Sequence, residues 1–334
     1  MFRRVLAAGV LGAVALAALP VQAATTCSAS MTDVSFGASD PFTGWSDVTA
    51  TISYECSTSG LSVLGNTRAR LCFSIGSGSQ GSGSIQPRRM TSDGNEVQFN
   101  LFRDAAHSQV WPDSLQQDTQ VDLQYSLSLL GGGSGSGSVT VYGRIGPDQT
   151  AVIPGSYDNS FSGPDARMEF RANEPTLLGT PPWPDSCTSG GGQGGTDSFP
   201  FTTSATVAAA CNPSFSLEDL DFGTQGLLNT AVDTTAIIAP QCTNTTPYQM
   251  GLDNGLHADG TTRRMHNGAG DYVIYELYRD AARSLRWGDT LNVDTLADTG
   301  TGSAQAQPIY GRVDPQITPP QGLYSDTVTV TIYY

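Results

Sequence analysis

The clearest alternation of apolar and polar positions lies at the end of the chain. From Thr327 onward, Val328, Val330, Ile332 and Tyr334 fall on one face, and Thr327, Thr329, Thr331 and Tyr333 on the other. This is the period of two of a half-buried strand, built from β-branched and aromatic residues throughout. Shorter runs at 47–54, 97–102, 121–129 and 139–144, then at 272–278 and 308–312, are predicted strands, with Gly, Ser and Thr between them and few helix-favouring stretches. The pattern predicts an all-β protein. After Tyr334 the sequence offers nothing to pair back, so one sheet edge is expected to be unfinished, and an open apolar edge is one that natural proteins cover or pair. Either another chain supplies the missing neighbour, or the terminal strand lies in mid-sheet within its own domain.

The chain repeats itself. Residues 100–111, NLFRDAAHSQVW, answer residues 276–287, ELYRDAARSLRW. In the same order, Cys27 and Phe36-Gly37 answer Cys211 and Phe222-Gly223, Cys56 answers Cys242, and Arg88-Arg89-Met90 answers Arg263-Arg264-Met265. Tyr142-Gly143-Arg144 answers Tyr310-Gly311-Arg312, and Gly155-Ser156-Tyr157 answers Gly322-Leu323-Tyr324. Such an ordered series describes two homologous domains in tandem, and short strands at this spacing suggest two immunoglobulin-like β-sandwiches. The Gly-rich stretch 188–198 reads as a flexible linker after Pro181, Pro182 and Pro184. The expected division is a segment 1–23, a first domain over 24–187, that linker, and a second domain over 199–334. Trp111 and Trp287 recur at one position and read as core anchors.

Residues 1–23 carry Arg3 and Arg4, then an apolar run ending at Val21-Gln22-Ala23, the form of a secretory signal peptide. Export places the six cysteines in an oxidising compartment. Six cysteines allow fifteen pairings. The repeat selects Cys27–Cys56 and Cys211–Cys242, which occupy matching positions, and leaves Cys72 with Cys187 to tie the tail of the first domain to its body. The 16 basic residues are all Arg, against 31 acidic ones, for a formal net charge of −15 that deepens once Arg3 and Arg4 leave. Such an acidic chain argues against nucleic acid as a partner. Without Lys it is excluded from lysine-crosslinked pilus assembly.

Little in the chain resembles catalytic chemistry. The histidines are His107, His257 and His266, and His107 is matched by Arg283 in the second copy. Asp104 and Asp280, beside Arg103 and Arg279, read as turn caps or ion-pair partners. Asp253, Asn254 and Asp259 near Gly255 and Gly260 read as a solvated turn, since their spacing fits no calcium loop. No catalytic residue, metal ligand or cofactor is expected, and the chain is read as a non-enzyme.

Tyr-Gly-Arg, a Gly-x-Tyr-x-Asp turn and a final strand of alternating Val and Thr ending in Tyr resemble the spore coat protein U domain found in subunits of Csu-type chaperone–usher pili. Both copies resemble it; the first departs at Pro164, where its last strand is expected to be bulged or split. The resemblance implies sandwiches of which the C-terminal one lacks its final strand. It further implies a periplasmic chaperone, an outer-membrane usher and the donor strand of the next pilus subunit as partners, with Val328, Val330, Ile332 and Tyr334 at the groove edge and the Tyr334 carboxylate held by basic residues of the chaperone. With Ala24, Thr25 and Thr26 alone between the expected cleavage site and Cys27, no donor extension is expected, which implies a pilus tip at the cell surface, with attachment and biofilm formation as its function. The alternative is a minor structural pilus subunit or a spore or cyst coat protein. The segment 199–210, FPFTTSATVAAA, is expected to complete the first domain in cis. Apolar loop residues without a counterpart in the second copy, namely Phe42 with Trp45, Leu129 with Leu130, and Val152 with Ile153, are the candidates for contact with an unknown surface or receptor.

Overall fold

The computed structural model describes residues 23–334 apart from 40, 43–46, 61, 63, 147–148 and 176–179. Nearly all of the expected signal peptide, and Trp45, lie outside the described residues. In the first half run β1 (Ala24–Met31), β2 (Val34–Ser39), β3 (Val48–Ser59), β4 (Gly65–Ile75), β5 (Arg88–Ser92) and β6 (Asn95–Phe102). They are followed by β7 (Gln120–Leu127), β8 (Gly133–Ile145), β9 (Gly155–Phe161), β10 (Ala166–Asn173), β11 (Gln193–Ser198) and β12 (Phe201–Val207). The second half holds β13 (Ser216–Leu217), β14 (Val232–Ala239), β15 (Pro247–Leu252), β16 (Arg263–His266), β17 (Tyr272–Tyr278), β18 (Leu296–Thr299), β19 (Gln307–Val313) and β20 (Val330–Tyr333).

Each half is a sandwich. In the first, a sheet ordered β1-β3-β8-β6-β5-β9-β12-β2 faces one ordered β11-β10-β4-β7. Alternate side chains meet between them, with Ile52, Val97, Phe99 and Val141 from the larger sheet and Leu71, Phe73, Met168 and Phe170 from the smaller in one buried cluster. The second sandwich packs β13-β14-β19-β17-β16 against β18-β15-β20, around Ile238, Met250, Leu277 and Ile309. Trp111 and Trp287 are 1% and 0% exposed. Their Nε1 atoms donate to the carbonyls of Phe73 and Met250, so both indoles are buried with their polar atoms satisfied. The fold is therefore all-β, two tandem immunoglobulin-like sandwiches.

The cysteines pair as Cys27–Cys56, Cys72–Cys187 and Cys211–Cys242. The first and third each join residues directly opposite one another across an antiparallel pair. As Pro164 suggested, the last strand of the first copy is split into β9 and β10 by a 3-10 turn over Gly163–Asp165.

Two Gly-rich stretches are strands. The run Gly133–Ser138 is the first half of β8, paired to β3. A side chain at Gly137 would start 2.3 Å from the Tyr54 hydroxyl, and one at Gly135 would start 2.9 Å from the Tyr125 ring, so these glycines admit the two aromatics. The expected linker 188–198 needs correction, because its second half is β11, paired with β10 from Ala172 opposite Gln193 to Arg167 opposite Ser198. At Gly195 the missing side chain gives room to the Phe170 ring. The chain leaves the first sandwich only after Val207.

Candidate functional site

In the first sandwich β12 fills the space between β9, to which it is antiparallel, and β2, to which it is parallel. Its alternate residues Phe201, Thr203, Ala205 and Val207 point into the core and are buried. The Phe201 ring stacks on Phe161 with centroids 4.5 Å apart. The pairing with β2 starts at Val34 opposite Thr203. The Thr202 N–H thus falls one residue before that pairing begins, and it donates instead to Asp33 Oδ1 at 2.7 Å. A segment that leads into the second sandwich completes the first.

The second sandwich places the same flanking elements in the same way, with no strand between them among the described residues. Leu220 and Phe222 lie against Gly311 as Val34 and Phe36 lie against Gly143. Phe222 meets Tyr275 edge to face at 6.1 Å, as Phe36 meets Phe99 at 5.8 Å. Yet 219–226 forms no strand, because after the Glu218 N–H bond to the Ile237 carbonyl it makes no further backbone–backbone hydrogen bond among the described residues. Between it and 324–330 runs an open groove of about 480 Å³ whose lining includes Leu220, Phe222, Tyr275, Tyr324 and Val328. Among the described residues the second sandwich lacks the strand that β12 provides to the first.

The groove edge is held from its other side. β20 pairs with β15 from Leu252 opposite Val330 to Gln249 opposite Tyr333. The Thr329 N–H donates to Asp253 Oδ1 at 2.9 Å, the Asp253 N–H donates to the Thr329 carbonyl at 3.1 Å, and the Leu256 N–H donates to the Thr327 carbonyl at 3.1 Å. Burial by itself would raise the Asp253 carboxyl, but the Thr329 and Gly255 N–H groups outweigh it and hold the group below the usual carboxylate value. Val328, Val330 and Ile332 pack half-buried against the core. Tyr334, expected beside them, lies past the last paired residue and is 65% exposed. Asp326, also in the groove lining, accepts from His257 N and from Tyr275 Oη. Burial, and then that carboxylate, push the Tyr275 phenol far above its usual value.

The candidate loops separate. Leu129 and Leu130 are 67% and 66% exposed on the β7–β8 hairpin. Leu130 has φ +62°, a conformation that costs a bulky residue free energy and persists only when its surroundings impose it. Here Ser62 does so: its carbonyl accepts from Leu130 N, its Oγ accepts from Gly132 N, and its Oγ donates to the Ser128 carbonyl. From this hairpin the 13 residues of β8 run about 40 Å toward the second sandwich. Beyond β8, Ala151 accepts a hydrogen bond from Asn244 Nδ2 at 3.0 Å. Val152 and Ile153 belong to that opposite end, and Val152, expected in a contact loop, is a core residue at 7% exposure. Phe42 is half-buried beyond β2.

The remaining polar candidates are structural. Asp104 accepts from Ser108 N and Oγ and from Gln109 N, and Asp280 accepts from Ser284 N and Oγ and from Leu285 N, so both cap turns. Asn254 and Asp259 are engaged by Arg286 and Arg264. His107 sits at φ +55° where Arg283 sits at +54°. What the sequence did not single out is Asp33 and its repeat partner Asp219; their fixed offset from Phe36-Gly37 and Phe222-Gly223 is the signal that pairs them.

Comparison with known proteins places this geometry in context. The model of the Spore Coat Protein U domain matches residues 13–162 and 197–331. Protein U of Myxococcus xanthus is 35% identical over 128 residues, which span 34% of this chain and 71% of that protein. Among solved structures, the fold is similar to a chain of the CsuC–CsuE chaperone–tip adhesion subunit pre-assembly complex from archaic chaperone–usher Csu pili of Acinetobacter baumannii. That match covers 92% of this chain and 100% of the other, at 16% identity and a TM-score of 0.50.

Proposed function

The chain belongs to the Spore Coat Protein U domain family, and from that premise we propose that it is a non-enzymatic subunit of a chaperone–usher pilus, occupying the fibre tip and mediating attachment. The observation that carries this reading is the contrast between the two grooves, one filled by β12 and the other open beside Val328 and Val330. An extended segment fits an open groove of this kind, with main-chain hydrogen bonds along the edge and alternate side chains in the core. A periplasmic chaperone fills it during export, and the donor strand of the next subunit replaces the chaperone at the outer-membrane usher. A terminal position is supported by the engagement of β1 along its whole length with β3, from Ala24 opposite Ser59 to Met31 opposite Ile52. That strand serves its own sandwich and is not free to serve another. The exposed Leu129 and Leu130, at the end of the first sandwich remote from the groove, then form part of the adhesive surface.

Co-expression with the pilus chaperone tests the proposal. A soluble one-to-one complex is expected, lost on removal of Val330 to Tyr334. Cells lacking the protein should make fibres that no longer adhere. A stable monomer that ignores the chaperone would sink the reading, and loss of the fibres themselves would favour a structural subunit.

A further inference from the structure

Asp219, an exposed residue, belongs to the lining of the open groove, and its carboxylate has no hydrogen-bond or ion-pair partner among the described residues. Its repeat partner, Asp33, has one: the Thr202 N–H of the inserted strand, at 2.7 Å. The two sites correspond in detail. Val34, next to Asp33, and Leu220, next to Asp219, pack on equivalent glycines, Gly143 and Gly311. We infer that Asp219 is a register clamp for the incoming strand, accepting one specified main-chain N–H of a donor segment that lies parallel to 219–222 and antiparallel to 324–330.

The need for a clamp follows from strand geometry. A parallel pair starting at the residue after the aspartate leaves the preceding N–H of the inserted strand without a backbone acceptor, to be met by water or by a side chain, as Asp33 meets Thr202. A carboxylate at the strand start supplies the acceptor, and a charge-assisted hydrogen bond is about twice as strong as a neutral one. Alternate side chains stay on the same face after a slide by two residues, so the apolar part of the lining, which includes Leu220, Phe222 and Val328, does not by itself fix the register. One fixed acceptor removes that degeneracy. The occupant is therefore an extended segment with apolar or small residues at alternate positions, as in β12, and with a residue other than proline at the clamped position.

This inference rests on the proposed groove, and the test separates the two. The probe is a fluorescent peptide copying residues 199–210, added to the full mature chain; the first groove is occupied by its own tethered strand, whose effective concentration is high, and Val328→Arg serves as a blocked-groove control. Asp219→Ala should weaken binding of the peptide about tenfold, while Asp219→Asn, which keeps an acceptor, should lose less. A peptide N-methylated at the position of Thr202 should bind both the parent chain and Asp219→Ala equally weakly. Equal binding of the unmodified peptide to parent and Asp219→Ala overturns the clamp alone. A peptide that binds the parent chain nowhere, or binds the Val328→Arg chain as well as the parent, overturns the groove and the clamp together.

Discussion

Arg263 donates through Nη2 to the carbonyl of Trp287 at 2.8 Å, and neither side chain is exposed. The same guanidinium donates to the carbonyls of Leu252 and Asp253 and pairs with Glu276. The first sandwich builds this arrangement again: Arg88 donates to the carbonyls of Trp111, Ile75 and Gly76 and to Asn100 Oδ1. With the neutral Asn100 in place of a carboxylate, burial pulls Arg88 down to about 9. Each arginine satisfies carbonyls from two parts of the chain, the end of a strand at Ile75-Gly76 or Leu252-Asp253 and the buried tryptophan, a duty that an apolar side chain of similar volume cannot perform.

Arg263→Met should therefore destabilise the second sandwich by about 3–5 kcal/mol, since it strands several buried carbonyls and leaves Arg286 as the ion-pair partner of Glu276. Chemical unfolding should show that transition shifted and the transition of the first sandwich unchanged. Parental stability of the variant would mean that water or Arg286 replaces the lost donors.

Phe201→Ala should cost the first sandwich about 3–5 kcal/mol, the range for deleting a buried phenylalanine, because its ring fills the groove against Phe161. The second sandwich should be untouched. If the variant unfolds as the parent does, completion of the first groove by β12 does not contribute to its stability.

The Asp253 carboxyl is held below its unfolded value, so it binds protons less readily in the folded state. Its stabilising contribution is fully present above the unfolded value of about 3.9 and is lost as pH falls through the depressed folded value. Hydrogen exchange at the Thr329 amide, which Asp253 accepts, should accelerate on acidification over that window. In Asp253→Asn the acid-induced component should disappear; an unchanged pH profile would remove Asp253 as its cause.

Replacing Leu129 and Leu130 together with Ser should abolish attachment without lowering the melting temperature, because both side chains are exposed and the hairpin is held by Ser62. Adherence at the parental level would place the contact surface elsewhere.

Much of this architecture was legible from order alone. Local alternation fixes which residues face a core, and so β17 appeared over its full length and the alternation at 328–332 marked Val328, Val330 and Ile332 as the side packed on the core. The repeat carried more, because two copies of one fold must place their shared landmarks alike: it selected Cys27–Cys56 and Cys211–Cys242 and marked both tryptophans as core. Composition misled at 188–198, where glycine serves as a strand residue beside Phe170; flexibility is a property of an unpaired backbone, and only the partner strand decides whether the backbone is paired. Tertiary structure likewise decided that Val152 is core while Leu129 and Leu130 are surface, since burial depends on what the rest of the chain lays over a residue. The roles of Asp33 and Asp219 lie beyond any local pattern. A carboxylate becomes a clamp only through the register of a strand that follows 169 residues later in one copy and that the second copy does not contain among its described residues.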